Sequence, residues 1–113
     1  MNWRERNMQA WRMLSQAQRK LAVSLLRYKL PADIVPKIKA RADSDPDWLA
    51  EYHFGWGMSI RNLLRSVIKD NELPPSVWDV NKGDHNWDDY YGAVVEVAVR
   101  GGIYWTLTSG ELE

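Results

Sequence analysis

The sequence predicts a mostly α-helical fold, a compact single-domain bundle of four to five helices over residues 1–113, with a Pro-rich loop and an extended C-terminal tail. Three observations carry this. Apolar residues recur at three- and four-residue steps over much of the chain. Helix-start signatures stand where those stripes begin, and Pro or Gly stands where they stop. Residues 103–108, which have strand-like composition, have no obvious partner strand.

The first segment reaches to about Lys29, with Trp11, Leu14, Gln18, Leu21, Leu25 and Tyr28 as its stripe. Ser15 followed by Gln18 has the form of a capping box, so the helix can restart there. Pro31 ends this segment, because proline disfavours helical geometry at the residue before it. A short helix carrying Ile34, Val35 and Ile38 follows, with Pro36 in its first turn, where a missing N–H is tolerated. Residues 42–45 read as a polar loop. Asp45-Pro46-Asp47 then starts a helix expected to run to about Lys69, with Tyr52, Trp56, Ile60, Leu63 and Val67 as its core stripe. Phe54, Leu64 and Ile68 widen that stripe.

Gly55 and Gly57 lie inside this helix and each costs about 1 kcal/mol relative to Ala. Such a pair implies a kink and the close approach of another group. Pro74 and Pro75 open a loop to about residue 86, anchored by Trp78 and Val80. The last helix is expected from about Trp87 to Val99. Its valines also suit a strand, but the Asp-rich start and the spacing of Tyr91, Val95 and Ala98 favour a helix.

Composition limits the function classes. Hydrophobic residues make up 45% of the chain, so a folded core is expected. The absence of cysteine removes disulfides, thiolate metal sites and a cysteine nucleophile. No apolar run is long enough for a membrane span, and the Arg-rich start lacks the apolar core of a signal peptide. A cytoplasmic location with no membrane partner is the expectation.

Charge is polarised although the net is zero. Residues 1–30 carry seven Lys or Arg against one acid, and residues 70–113 carry two against nine acids. Either the two ends neutralise each other, which is the simpler reading, or one is a docking surface. Nucleic-acid binding through Arg4, Arg12, Arg19, Lys20 and Arg27 is the less favoured form of docking, because no recognition motif accompanies these residues. Seven tryptophans are more than a core of this size is expected to enclose. Since Trp is enriched at binding hot spots, at least one is expected on the surface.

Residues 31–98 resemble a small family of bacterial domains of unknown function. The resemblance lies in Pro31-Ala32-Asp33-Ile34, the acidic residues 43–47, the block Tyr52-His53-Phe54-Gly55-Trp56-Gly57-Met58-Ser59-Ile60-Arg61-Asn62, and Asp88-Asp89. The block is the specific part, with the pattern Tyr-His-Phe-Gly-x-Gly-x-x-Ile-Arg-Asn. The chain departs from the pattern after Asn62, where its Pro-rich insertion is longer. The resemblance implies a helical fold and no reaction.

Two functional readings follow from the residues. The leading one is a non-enzymatic protein-interaction module, an inhibitor, immunity-type partner or adaptor. It would bind another protein through exposed Trp78 and Trp87 and the acidic residues Asp84 and Asp88. The alternative is a small-anion site or weak hydrolase. On one helix His53, Gly57 and Arg61 are spaced four apart, so Gly57 would floor a groove with imidazole at one end and guanidinium at the other, and Asn62 at its edge. In the structural counterpart of that reading, Arg61 pairs with Asp88 or Asp89 and His53 bonds a backbone carbonyl. Asp88 and Asp89 are adjacent and diverge on a helix, so they do not make a catalytic carboxylate pair. Two histidines without a spaced third ligand do not make a metal site. No catalytic residue, metal or cofactor is assigned.

Overall fold

The computed structural model describes residues 2–75 and 85–100, and here the chain forms six α-helices and no strand. They are α1 (Trp3–Met13), α2 (Gln16–Lys29), α3 (Val35–Ser44), α4 (Leu49–Tyr52), α5 (Trp56–Arg65) and α6 (Tyr91–Arg100). Short 3-10 turns at Asp70–Glu72 and Trp87–Asp89 complete the described elements. The Pro-rich loop around Trp78, Val80 and Asp84, and the tail at residues 103–108, lie outside the described residues.

Two breaks set the helix number: the one expected at Ser15, and a second that takes the count past five. Ser15 forms a reciprocal capping box: its hydroxyl accepts from Gln18 N at 3.1 Å, and Gln18 Oε1 accepts from Ser15 N at 3.0 Å. This satisfies two backbone donors and restarts the chain as α2. The second break is at residues 53–55, where α4 stops after one turn and Gly55 becomes the N-cap of α5. The expected kink is therefore an interruption.

That interruption resets the phase of the apolar stripe. Beyond it α5 buries Gly57, Ile60, Arg61 and Leu64, and Ile68 packs just after it. Tyr52, Phe54 and Val67, expected in the core, are exposed. A similar shift corrects α2, which buries Ala22, Val23 and Leu26 while Leu21 and Tyr28 face solvent. Of the supposed loop at residues 42–45, residues 42–44 are the last turn of α3 and Asp45 is its extended C-cap. Ala42 is buried there, its carbonyl accepts from Arg4, and the Lys39–Asp43 pair at 3.0 Å spans one turn.

The core is organised around α6, which packs on α1, α2, α3 and α5. All of its residues except Ala98 and Arg100 are buried. A helix apolar on nearly every face is stable only when surrounded. It crosses its neighbours closely at Gly92, where an added Cβ would lie 2.6 Å from Asn7 Oδ1 and 2.8 Å from Leu49 Cδ2.

Burying α6 also buries Glu96, whose side chain is 0% exposed. Its carboxylate accepts from Arg4 Nε at 3.0 Å, Trp48 Nε1 at 3.2 Å and Arg100 Nη1 at 3.3 Å. Arg100 extends the network to Asp43 at 3.0 Å. The basic N-terminal segment and the acidic C-terminal segment thus meet at Arg4–Glu96.

Removing one member of a buried ion network strands its partners at a cost of about 3–5 kcal/mol. Glu96→Ala should lower unfolding free energy by about that amount in urea titration. Glu96→Gln keeps an acceptor for Trp48 and should cost less; equal losses would show that the charge is not what matters.

Candidate functional site

The stretch before α5 is positioned by local turn chemistry. Asp45 Oδ1 accepts from Asp47 N at 2.9 Å, which sets the entry to α4. Asp47 Oδ1 accepts from Trp3 N at 2.7 Å and so fastens α1 to the same corner. His53 follows α4 directly, with Trp3 and Phe54 rings edge-on at 5.7 and 5.1 Å.

The groove expected between His53 and Arg61 is filled. Gly57 faces Tyr91 of α6, and a Cβ there would lie 2.8 Å from the Tyr91 hydroxyl and 2.9 Å from the Tyr52 carbonyl oxygen. The close approach inferred from the glycine pair is therefore made by a side chain of the protein itself. It occurs at Gly57 alone, because nothing lies within 4 Å of a Cβ at Gly55.

The polar groups of this corner satisfy one another. Tyr91 Oη lies 2.8 Å from His53 Nδ1, and Arg61 Nη1 lies 3.0 Å from the same nitrogen. Arg61 Nη1 is also 3.5 Å from His53 Nε2, so the guanidinium sits over the imidazole, a position that disfavours a second positive charge on the ring. The His53 pKa is lowered, first by burial and then by the Arg61 charge, while Asp88 acts in the opposite sense. Arg61, 4% exposed, pairs through Nε with Asp88 Oδ1 at 2.9 Å and lies 4.9 Å over the Tyr91 ring. Burial pushes the Tyr91 phenol up to about 12, against a smaller opposing effect from Arg61. Tyr91 against His53 and Asp88 against Arg61 thus occupy the space between the two residues with the protein's own side chains.

His53 was expected to bond a backbone carbonyl; its partners are Tyr91 and Arg61 instead. Asp88, rather than Asp89, is the partner of Arg61. Asn62 is exposed and its Oδ1 accepts from Arg65 Nη1 at 2.9 Å, away from His53.

The predicted partner-binding residues separate. Trp87 is 0% exposed, which corrects the expectation of a surface anchor. Its indole N–H donates to the Ile68 carbonyl at 2.9 Å, and its backbone N–H donates to Asp70 Oδ1 at 3.2 Å. These bonds pin the start of the last helical segment to the end of α5 and leave the ring inside. Asp88 is half exposed while bridging Arg61 and, at 3.7 Å, Arg65. Trp78 and Asp84 lie outside the described residues. Among the described residues no group of three or more His, Cys, Asp or Glu side chains could hold a metal ion.

An exposed aromatic surface lies beside this corner. Phe54, in the turn between α4 and α5, is 82% exposed, and Tyr52 and Met58 flank it in sequence as exposed residues. Next to Tyr52 is a cleft of about 230 Å³ between α3 and the α4–α5 segment. Ile34, Ile38, Trp48, Tyr52 and Trp56 line it, with Lys37 and Arg41 as its charged members. Trp48 anchors the aromatic wall, with its ring centroid 5.9 Å from that of Tyr52 and 6.4 Å from that of Trp56. Sequence periodicity missed this surface because it counted Tyr52, Phe54 and Trp56 on one continuous helix. The Gly55 position was the signal that the count should restart.

Gly57→Ala should destabilise the protein by about 1–3 kcal/mol in urea unfolding, because overpacking against the Tyr52 backbone outweighs the helical preference for Ala. His53 yields a pH prediction. Its folded pKa lies below the ordinary 6.5, so between those values the unfolded chain binds more protons. Stability should fall as pH drops from 6.5 through the folded pKa, then level off with respect to this group. Urea unfolding at pH 7 and pH 5 should show a smaller difference in His53→Gln than in wild type. An unchanged difference would assign the effect elsewhere.

No family model, curated protein or solved structure matches the chain.

Proposed function

We propose that this protein is a non-enzymatic protein-interaction module acting in the cytosol, with the aromatic ledge of Tyr52, Phe54 and Met58 as its principal contact surface. The observation that carries the reading is the 82% exposure of Phe54 on a turn with exposed apolar neighbours. Exposed apolar groups that cluster mark interaction sites more often than isolated ones do. An aromatic anchor of this kind is typical of binding hot spots. The partner is another protein, and the module serves as an inhibitor, immunity-type protein or adaptor. Trp78 and Asp84 belong to the same proposal as a second contact.

Two further observations support this class over the alternatives. The groups that would make an anion site or hydrolase, His53 and Arg61, are occupied by Tyr91 and Asp88. Two of the five basic residues considered for nucleic acid are engaged within the protein. Arg4 is committed to Glu96, and Arg19 donates to the Trp11 carbonyl at 3.1 Å and lies over the Trp11 ring.

Phe54→Asp should leave the circular-dichroism spectrum and unfolding midpoint essentially unchanged. In affinity capture from native-source lysate it should lose a partner that wild type retains. With the partner isolated, loss of a hot spot of about 2 kcal/mol weakens binding about 30-fold. Undiminished capture by both Phe54→Asp and Trp78→Ala would refute the proposed surface.

A further inference from the structure

We infer that the cleft between α3 and the α4–α5 segment is a binding site for a small aromatic carboxylate. This site adjoins the ledge, sharing Tyr52 with it, and does not require that Phe54 bind a protein. Three properties of the cleft point to that ligand class.

Its walls come first. Trp48, Tyr52 and Trp56 present aromatic surface from one side, and Ile34 and Ile38 of α3 close the other. Aromatic rings accept a flat ring in offset or edge-on contact, with stabilisation beyond simple burial of area. Trp48 is rigidly held, because its indole N–H donates to the buried Glu96 carboxylate at 3.2 Å. The wall is therefore set by the core before any ligand arrives.

Size is the second property. An apolar cavity of about 150 Å³ is enough for benzene. The cleft volume of about 230 Å³ has room for one ring system bearing a small substituent. It is too small for a nucleotide or an extended cofactor, for which pockets run from about 300 to 1,000 Å³.

Charge is the third. The charged residues lining the cleft, Lys37 and Arg41, are both cationic and lie one helical turn apart on α3. Arg41 is paired with Glu51, and the hydrogen bond to that carboxylate is the main reason its pKa is raised, with Tyr52 contributing next. Lys37 is exposed and makes no ion pair among the described residues. An exposed ammonium with no ion pair among the described residues, at the edge of an apolar slot, matches a monoanion whose carboxylate stays at the rim while its ring enters. A phosphate would leave the slot empty, and a neutral aromatic would leave Lys37 unused.

The test uses the full-length protein and 2-naphthoate as probe, followed by isothermal titration and by the indole N–H signals in a nitrogen-15 correlation spectrum. Saturable binding is expected at sub-millimolar concentration, with shifts at Trp48 and Trp56 and none at Trp11 or Trp87. The neutral isostere 2-naphthamide and the aliphatic octanoate should each bind at least about 10-fold more weakly. Lys37→Glu, on an exposed face, should keep the unfolding midpoint and weaken 2-naphthoate by at least about 10-fold.

Phe54→Asp should leave 2-naphthoate affinity unchanged, which separates this site from Phe54. Absence of binding at millimolar 2-naphthoate would overturn the inference. So would equal affinity for the amide, tighter binding of octanoate, or an unaffected Lys37→Glu variant.

Discussion

The buried carboxylate of Glu96 is the interaction on which the rest of the architecture depends. A charge taken out of water is tolerated only when it is paired and hydrogen-bonded. Around Glu96 that requirement recruits Arg4 from α1, Trp48 from the turn before α4 and Arg100 from α6 itself. Arg4 also reaches the Ala42 carbonyl, and Arg100 reaches Asp43, so α3 is bound into the same network. Four segments remote in sequence are thereby placed with directional bonds, which the surrounding valine-rich packing alone would not specify. The polarised charge of the chain finds one of its structural uses here.

A second junction works by size. Gly57 leaves the space that the Tyr91 ring and hydroxyl fill, and Tyr91 in turn orders His53 and supports Arg61. Gly92 plays the corresponding part against Asn7 and Leu49. His53, Arg61 and Tyr91 together join α5 to α6. Their polar groups are mutually satisfied in a half-buried corner, where leaving any of them without a partner would be costly.

Outside that corner lie the exposed Phe54 and the cleft beside Tyr52. The interruption at Gly55 turns Phe54 outward, and the aromatic wall of the cleft stands on the other side of Tyr52. Trp48 joins both descriptions. One edge of its indole secures Glu96 in the core, and the same ring forms part of the cleft lining. The interior and the external recess therefore share one side chain.

What the sequence determined by itself was governed by short-range physics. The helical class, the capping box at Ser15, the helix stop before Pro31 and the tolerance of Pro36 in a first turn involve groups at most four residues apart. The pairing of Arg61 with Asp88 or Asp89 was one of the two arrangements the residues offered, and Asp88 makes it. Tertiary structure decided the rest. Whether Gly57 floored an open groove or received Tyr91 depended on where α6 lies. The same placement sends Trp87 inward by giving its indole N–H the Ile68 carbonyl as partner. Which side of α2 is buried, and the continuation of α3 through Ala42, were likewise decided by neighbouring helices that supply packing and hydrogen bonds no local pattern encodes.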